Sequence, residues 1–108
     1  MTKTERIAHL NDVFRSTFIG GRVVLTEGIR ALSESDRAEV ITKVRTFADF
    51  TEDNDPHKER DFGAFEHEEQ RFFWKIDYYD RALEFGSEDP TDPKATTRVL
   101  TIMLAEEY

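Results

Sequence analysis

The residues able to do chemistry concentrate in two stretches of the chain. One is Glu52-Asp53-Asn54-Asp55-Pro56-His57-Lys58-Glu59-Arg60-Asp61, in which Asp53, Asp55, His57, Glu59 and Asp61 alternate. In an extended segment that spacing presents several carboxylate oxygens and one imidazole together, the donor types that hold divalent cations. The other is the outward face of a strand made of Lys75, Asp77 and Tyr79, followed by Asp80. The candidate functional residues are therefore Asn54, Asp55, His57, Glu59, Arg60 and Asp61 in the loop, with Lys75, Asp77, Tyr79 and Asp80 on the strand face.

Neither stretch completes a familiar constellation. Counted from Asp53, the sixth position is Lys58, where a calcium loop needs glycine, and no glutamate fills the twelfth. A His-x-x-x-His zinc pair is missing, so no metal and no cofactor is assigned. The residue two before Lys75 is Phe73, where a Glu-x-Lys nuclease core needs a carboxylate, and Asp77 reads more simply as its ion-pair partner. No Gly-x-Ser-x-Gly elbow is present. Of the three histidines only His57 sits among carboxylates; His9 falls on the polar side of a helix, and His67 precedes a turn and is expected to be exposed. Trp74, Tyr78 and Tyr79 could stack on bases, but no basic groove accompanies them.

Composition sharpens these exclusions. Asp and Glu outnumber Lys and Arg 23 to 15, a net charge of −8, which disfavours direct binding to nucleic acid and suits a basic protein partner. The chain has no cysteine, excluding disulfides and thiol chemistry and fitting a reducing, cytoplasmic compartment. The first 20 residues are charged and amphipathic rather than leader-like, and no apolar run is long enough to span a membrane. At 108 residues, with nine Phe, three Tyr and one Trp, the chain fits a single domain over 1–108 with an aromatic core.

The elements that must position these residues follow from periodicity. Ile7, Leu10, Phe14 and Phe18 predict a helix over 4–18, ended by Gly20-Gly21. Arg22–Thr26 reads as a short strand. Ser33 with Asp36 caps a second helix carrying Val40, Ile41, Val44 and Phe47. Asn54-Asp55-Pro56 marks a loop over 51–60. Residues 61–67 and 71–79 then form an antiparallel hairpin around Glu68-Glu69. Its register pairs Phe65 with Phe72, Gly63 with Trp74 and Phe62 with Lys75, with Glu66 facing Arg71 and Arg60 facing Asp77. Phe65, Phe72, Trp74 and Ile76 share the core face. A second turn-rich loop covers 86–93, and Asp92-Pro93 opens a last helix running to about Glu106. The expected fold is α+β, in the order α-β-α-β-β-α: a small antiparallel sheet with an aromatic-rich hairpin packed against helices.

The Asn54–Gly63 segment, Trp74-Lys75-Ile76-Asp77-Tyr78-Tyr79-Asp80, Arg98–Tyr108 and the Leu10-Asn11-Asp12 step together resemble a family of short bacterial proteins known as a domain of unknown function. The resemblance covers nearly the full length and implies an association with plasmids, phages and other mobile elements, with no assigned activity. The family's loop usually reads Glu-His-Asp-Phe-Gly; here Arg60 stands in place of that histidine, which favours an Arg60–Asp77 ion pair over a second loop ligand.

The expected function is that of a small acidic interaction protein of a mobile element. It would occupy a basic protein or nucleic-acid-binding defence complex in the manner of anti-CRISPR or anti-restriction proteins. With no complete catalytic constellation, the reading leans away from an enzyme. The alternative is a metal-binding or hydrolytic domain using the 53–61 loop and Asp77, and a third reading is a homodimer built on the last helix.

Overall fold

The computed structural model describes residues 1–108. Thr2 opens α1 (Lys3–Thr17) with a reciprocal capping box to Glu5, which satisfies two of the free N–H groups of the first turn. The helix ends one turn before the glycine pair: Phe18 itself takes the left-handed cap at φ 63°, donating its N–H to Phe14 O. The strand β1 (Gly21–Leu25) follows, then α2 (Glu27–Arg30), a single turn with no apolar period of its own. Ser33 caps α3 (Glu34–Arg45) by accepting from the Asp36 N–H, as the spacing predicts.

The hairpin of β2 (Phe62–His67) and β3 (Gln70–Tyr79) carries the expected register throughout, from Phe62 opposite Lys75 to His67 opposite Gln70. Glu68 and Glu69 both adopt positive φ, 51° and 65°, the backbone a two-residue turn needs to match the twist of its strands. Gly63 makes room for the indole: a Cβ there would collide with Trp74 Nε1 and lie 2.6 Å from its Cε2. Phe72, Trp74 and Ile76 are buried, and Phe65 stacks on Phe72 at 5.5 Å between ring centroids.

The C-terminal segment corrects the sequence reading. Residues 97–104 are not helical; they form β4 (Thr97–Leu104), followed by one 3₁₀ turn (Ala105–Glu107). Thr97, Val99, Thr101 and Ile102 are β-branched, half of the strand's eight residues, and prefer the pleated surface to a helix turn. Apolar side chains on both faces imitate a broad helical stripe, because β4 is a central strand. The sheet order is β1-β4-β3-β2, with β4 antiparallel to β3 and parallel to β1, so the sheet is mixed rather than antiparallel. The element order is accordingly α-β-α-α-β-β-β within an α+β fold.

All three helices cover one face of the sheet. Phe14 of α1, Ile29 of α2 and Val40 and Val44 of α3 meet Phe72, Trp74, Ile76, Leu100 and Ile102 in one core. The opposite face carries Lys75, Asp77, Tyr79 and Thr101, half exposed, with Tyr108 resting edge-on against Phe62 and Phe73. No helix is long and apolar enough to cross a membrane.

Candidate functional site

The 51–61 loop lies against α1 on the helix-covered side of the sheet, held by its own polar side chains. Asn54 bridges the loop by accepting from Thr51 N and donating to Asp49 O, both at 2.8 Å. The buried Asp55 accepts from Arg60 N at 3.1 Å, which steadies the positive φ of Lys58 and Arg60. Glu59 accepts the Tyr78 hydroxyl at 2.8 Å. Asp61 O accepts Ile76 N, which joins the loop to β3. Burial raises the Asp61 carboxyl above its ordinary 3.8, and the like charges of Glu59 and Asp55 add to that.

Beneath the loop runs a buried polar network that links α1, β3 and β4. Asn11 is fully buried; its amide donates to Glu59 O at 2.9 Å and Tyr78 Oη at 2.8 Å, while its Oδ1 accepts from Arg98 Nε at 2.7 Å. Because guanidinium Nε–H can only donate, this last contact fixes which way the Asn11 amide points. Arg98 stacks over the Tyr78 ring and donates to Pro90 O. Its basicity is lowered by burial, and the Tyr78 hydroxyl is pushed far above its ordinary range, also by burial first.

Arg15 is buried in the same layer. Its Nη1 donates to Val44 O at 3.2 Å and Phe47 O at 3.1 Å, capping the C-terminal end of α3, while Nη2 pairs with Asp12 at 2.8 Å. The guanidinium also lies 5.0 Å over Trp74.

Arg60 does not face Asp77. Its Nη1 pairs with Asp12 at 2.8 Å and its guanidinium covers Phe50. The positive φ at Arg60 turns the chain before β2 begins at Phe62, so Arg60 falls outside the paired register. Between this ion pair and the N-terminal half of α1 opens a cleft of about 970 Å³, lined among others by His9, Asp12, Phe50, Asp55, His57 and Arg60.

The second predicted group lies elsewhere. Lys75 and Asp77 pair at 2.8 Å on the open face of the sheet. That hydrogen bond raises the Lys75 ammonium. Tyr79 is half-buried at the end of the same strand, and Asp80 accepts Glu84 N at 3.0 Å to close the following turn. The pleat puts Lys75, Asp77 and Tyr79 on the side opposite Tyr78, which separates them from the loop, while Asp80 lies just past the end of β3.

Asn11, Asp12, Arg15, Tyr78 and Arg98 were not among the candidate functional residues, although all but Arg15 fall in segments that carry the family resemblance. Their signal was polarity in an apolar sector: Asn11 and Arg15 fall beside Ile7 and Phe14 on the buried stripe of α1, and Arg98 precedes Leu100 and Ile102 on the core face of β4. His67, expected to be exposed, is buried; as the last residue of β2 it turns onto the core face and meets α3.

Comparison with curated proteins and with solved structures finds no match. A family model matches residues 25–107, which takes in α3, the loop, the hairpin and β4. With most of its length so matched, the chain belongs to the family described as "Protein of unknown function (DUF3768)".

Proposed function

We propose that this chain is a small acidic interaction protein of a mobile genetic element, working in the cytoplasm by occupying a basic, nucleic-acid-binding host complex of the kind anti-CRISPR and anti-restriction proteins engage. One observation carries the reading. Of 23 acidic side chains, only Asp12 and Asp77 lie within ion-pair distance of a lysine or arginine. Exposed carboxylates among the rest can meet positive charge on a partner, and Asp49, Glu52 and Asp53 project from one exposed loop. Such a field speeds encounter with a basic surface and repels nucleic acid itself. The likeness of the loop, hairpin and C-terminal motifs to plasmid- and phage-borne proteins supports the choice of partner class.

The rival reading, a metal-binding or hydrolytic domain, draws on the raised Asp61 carboxyl beside Asp55 and Glu59. It is weakened by the hydrogen bonds that already occupy Asp55 and Glu59 and by the opposite facing of Asp77.

The test is capture from bacterial lysate at low salt on the immobilised chain, alongside an Asp49→Lys, Glu52→Lys, Asp53→Lys variant. The native chain retains a nucleic-acid-handling complex and releases it as salt rises, while the variant retains at least tenfold less. Capture of no such complex, or association indifferent to salt and to charge reversal, defeats the proposal.

A further inference from the structure

The hairpin tip brings together a second set of donors, remote from the loop. His67 ends β2; Glu68 is the first residue of the turn; Asp36 and Glu39 stand three apart on α3, on the face turned to the hairpin. His67 Nε2 lies 3.0 Å from Asp36 Oδ1 and 3.3 Å from Glu39 Oε2. One donor atom from each of the four residues, Glu68 included, lies within 4.8 Å of the other three. Ligands at 2.0–2.2 Å from a common ion stand about 3–3.5 Å apart, so small side-chain rotations bring this set to coordinating distance.

We infer that His67, Asp36, Glu39 and Glu68 form a binding site for a divalent transition-metal ion of the Zn²⁺ or Mn²⁺ type. The buried imidazole is what separates this cluster from an ordinary acidic patch. His67 is only 6% exposed and its ring packs edge-on to Phe72, so its orientation is set by the core. A ring nitrogen carries at most one hydrogen, yet two carboxylates converge on the same Nε2; a single N–H satisfies one of them well. A divalent cation accepts all of them at once.

The charge balance agrees. Three carboxylates meet here, and no lysine or arginine pairs with any of them. Lys43, which lines the adjoining cavity, donates to Glu66 O at 3.0 Å instead.

Outer partners are also in place. Ser33 Oγ donates to Asp36 Oδ2 at 3.0 Å, leaving Oδ1 toward the imidazole. A solvent-open cavity of about 540 Å³, lined by Glu39, Thr42, Lys43, His67 and Glu68, admits an ion from outside. One nitrogen with carboxylate oxygens suits zinc or manganese, whereas calcium and magnesium sites use oxygen alone. The site stands independently of the acidic-partner reading, since the loop carboxylates take no part in it.

The test is titration of the EDTA-treated full chain with Zn²⁺, Mn²⁺ and Mg²⁺, followed by calorimetry and thermal unfolding. Zn²⁺ or Mn²⁺ binds at one equivalent and raises Tm by about 10 °C or more at a hundredfold excess over Kd, with Mg²⁺ far weaker. Glu39→Gln and Glu68→Gln, both at exposed positions that leave the fold intact, weaken binding at least tenfold, and His9→Ala and His57→Ala leave it unchanged. The His67 ring resonances move on addition of Zn²⁺. Three results overturn the assignment: no binding up to about 1 mM metal; binding that Glu39→Gln and Glu68→Gln leave untouched; or binding lost in His9→Ala or His57→Ala.

Discussion

Among single residues, Asn11 ties together three separate segments of the chain. One amide holds the loop through Glu59 O, the sheet through Tyr78 and β4 through Arg98. Replacing it with an apolar side chain of similar size leaves Glu59 O and Arg98 Nε without partners and the Tyr78 hydroxyl with Glu59 alone, and each unpartnered group costs about 1–3 kcal/mol. Asn11→Leu is therefore expected to destabilise the chain by roughly 3–4 kcal/mol, read from urea unfolding midpoints at constant m-value.

Asp61 makes an opposite prediction. Burial raises its carboxyl above the ordinary 3.8, so over a span of pH the folded chain keeps a proton that the unfolded chain has released. Stability contributed by this group is present below the ordinary value and declines as pH rises through the raised one. Asp61→Asn removes that decline. The variant should gain stability at neutral pH relative to the native chain, and the gain should vanish near pH 3; an equal difference at both pH values would show that charge at Asp61 is not the cause.

At the scale of elements, the tight hairpin turn bears the clearest local strain. Glu68 and Glu69 sit in the left-handed region, where a side chain costs about 1 kcal/mol relative to glycine. Glu69→Gly should raise stability by about 0.5–1 kcal/mol, measured by thermal unfolding, because glycine is the residue this turn type prefers at its second position. The substitution touches no carboxylate of the hairpin-tip cluster.

The whole molecule is governed by its unbalanced charge. A net charge of −8 with only two acidic side chains paired to Lys or Arg means that the folded state carries self-repulsion. Added NaCl screens it over about 10 Å at 0.1 M. Raising NaCl from about 10 to 150 mM is expected to increase Tm by a few degrees, and a fall in Tm would mean that attractive pairs dominate the surface. The same imbalance underlies the proposed affinity for a basic partner, so both effects should diminish together in charge-reversed variants.

Much of the architecture was written locally. The capping residues Thr2 and Ser33, the period of α1 and α3 and the alternation of β3 each act within a few residues. The hairpin register was legible to the residue because Gly63 and Trp74 admit one another in a single alignment. What the chain could not declare locally was the fate of residues 97–104. Their apolar pattern suits a helix as well as a strand, and only pairing with β1 on one side and β3 on the other decides between them. The same holds for the polar sites. Loop residues 53–61 were visible by composition, but the meeting of Asn11 with Arg98, and of His67 with Asp36, joins residues far apart in the chain. Tertiary packing chose those partners, because a buried polar group takes whichever complementary group the fold brings within reach.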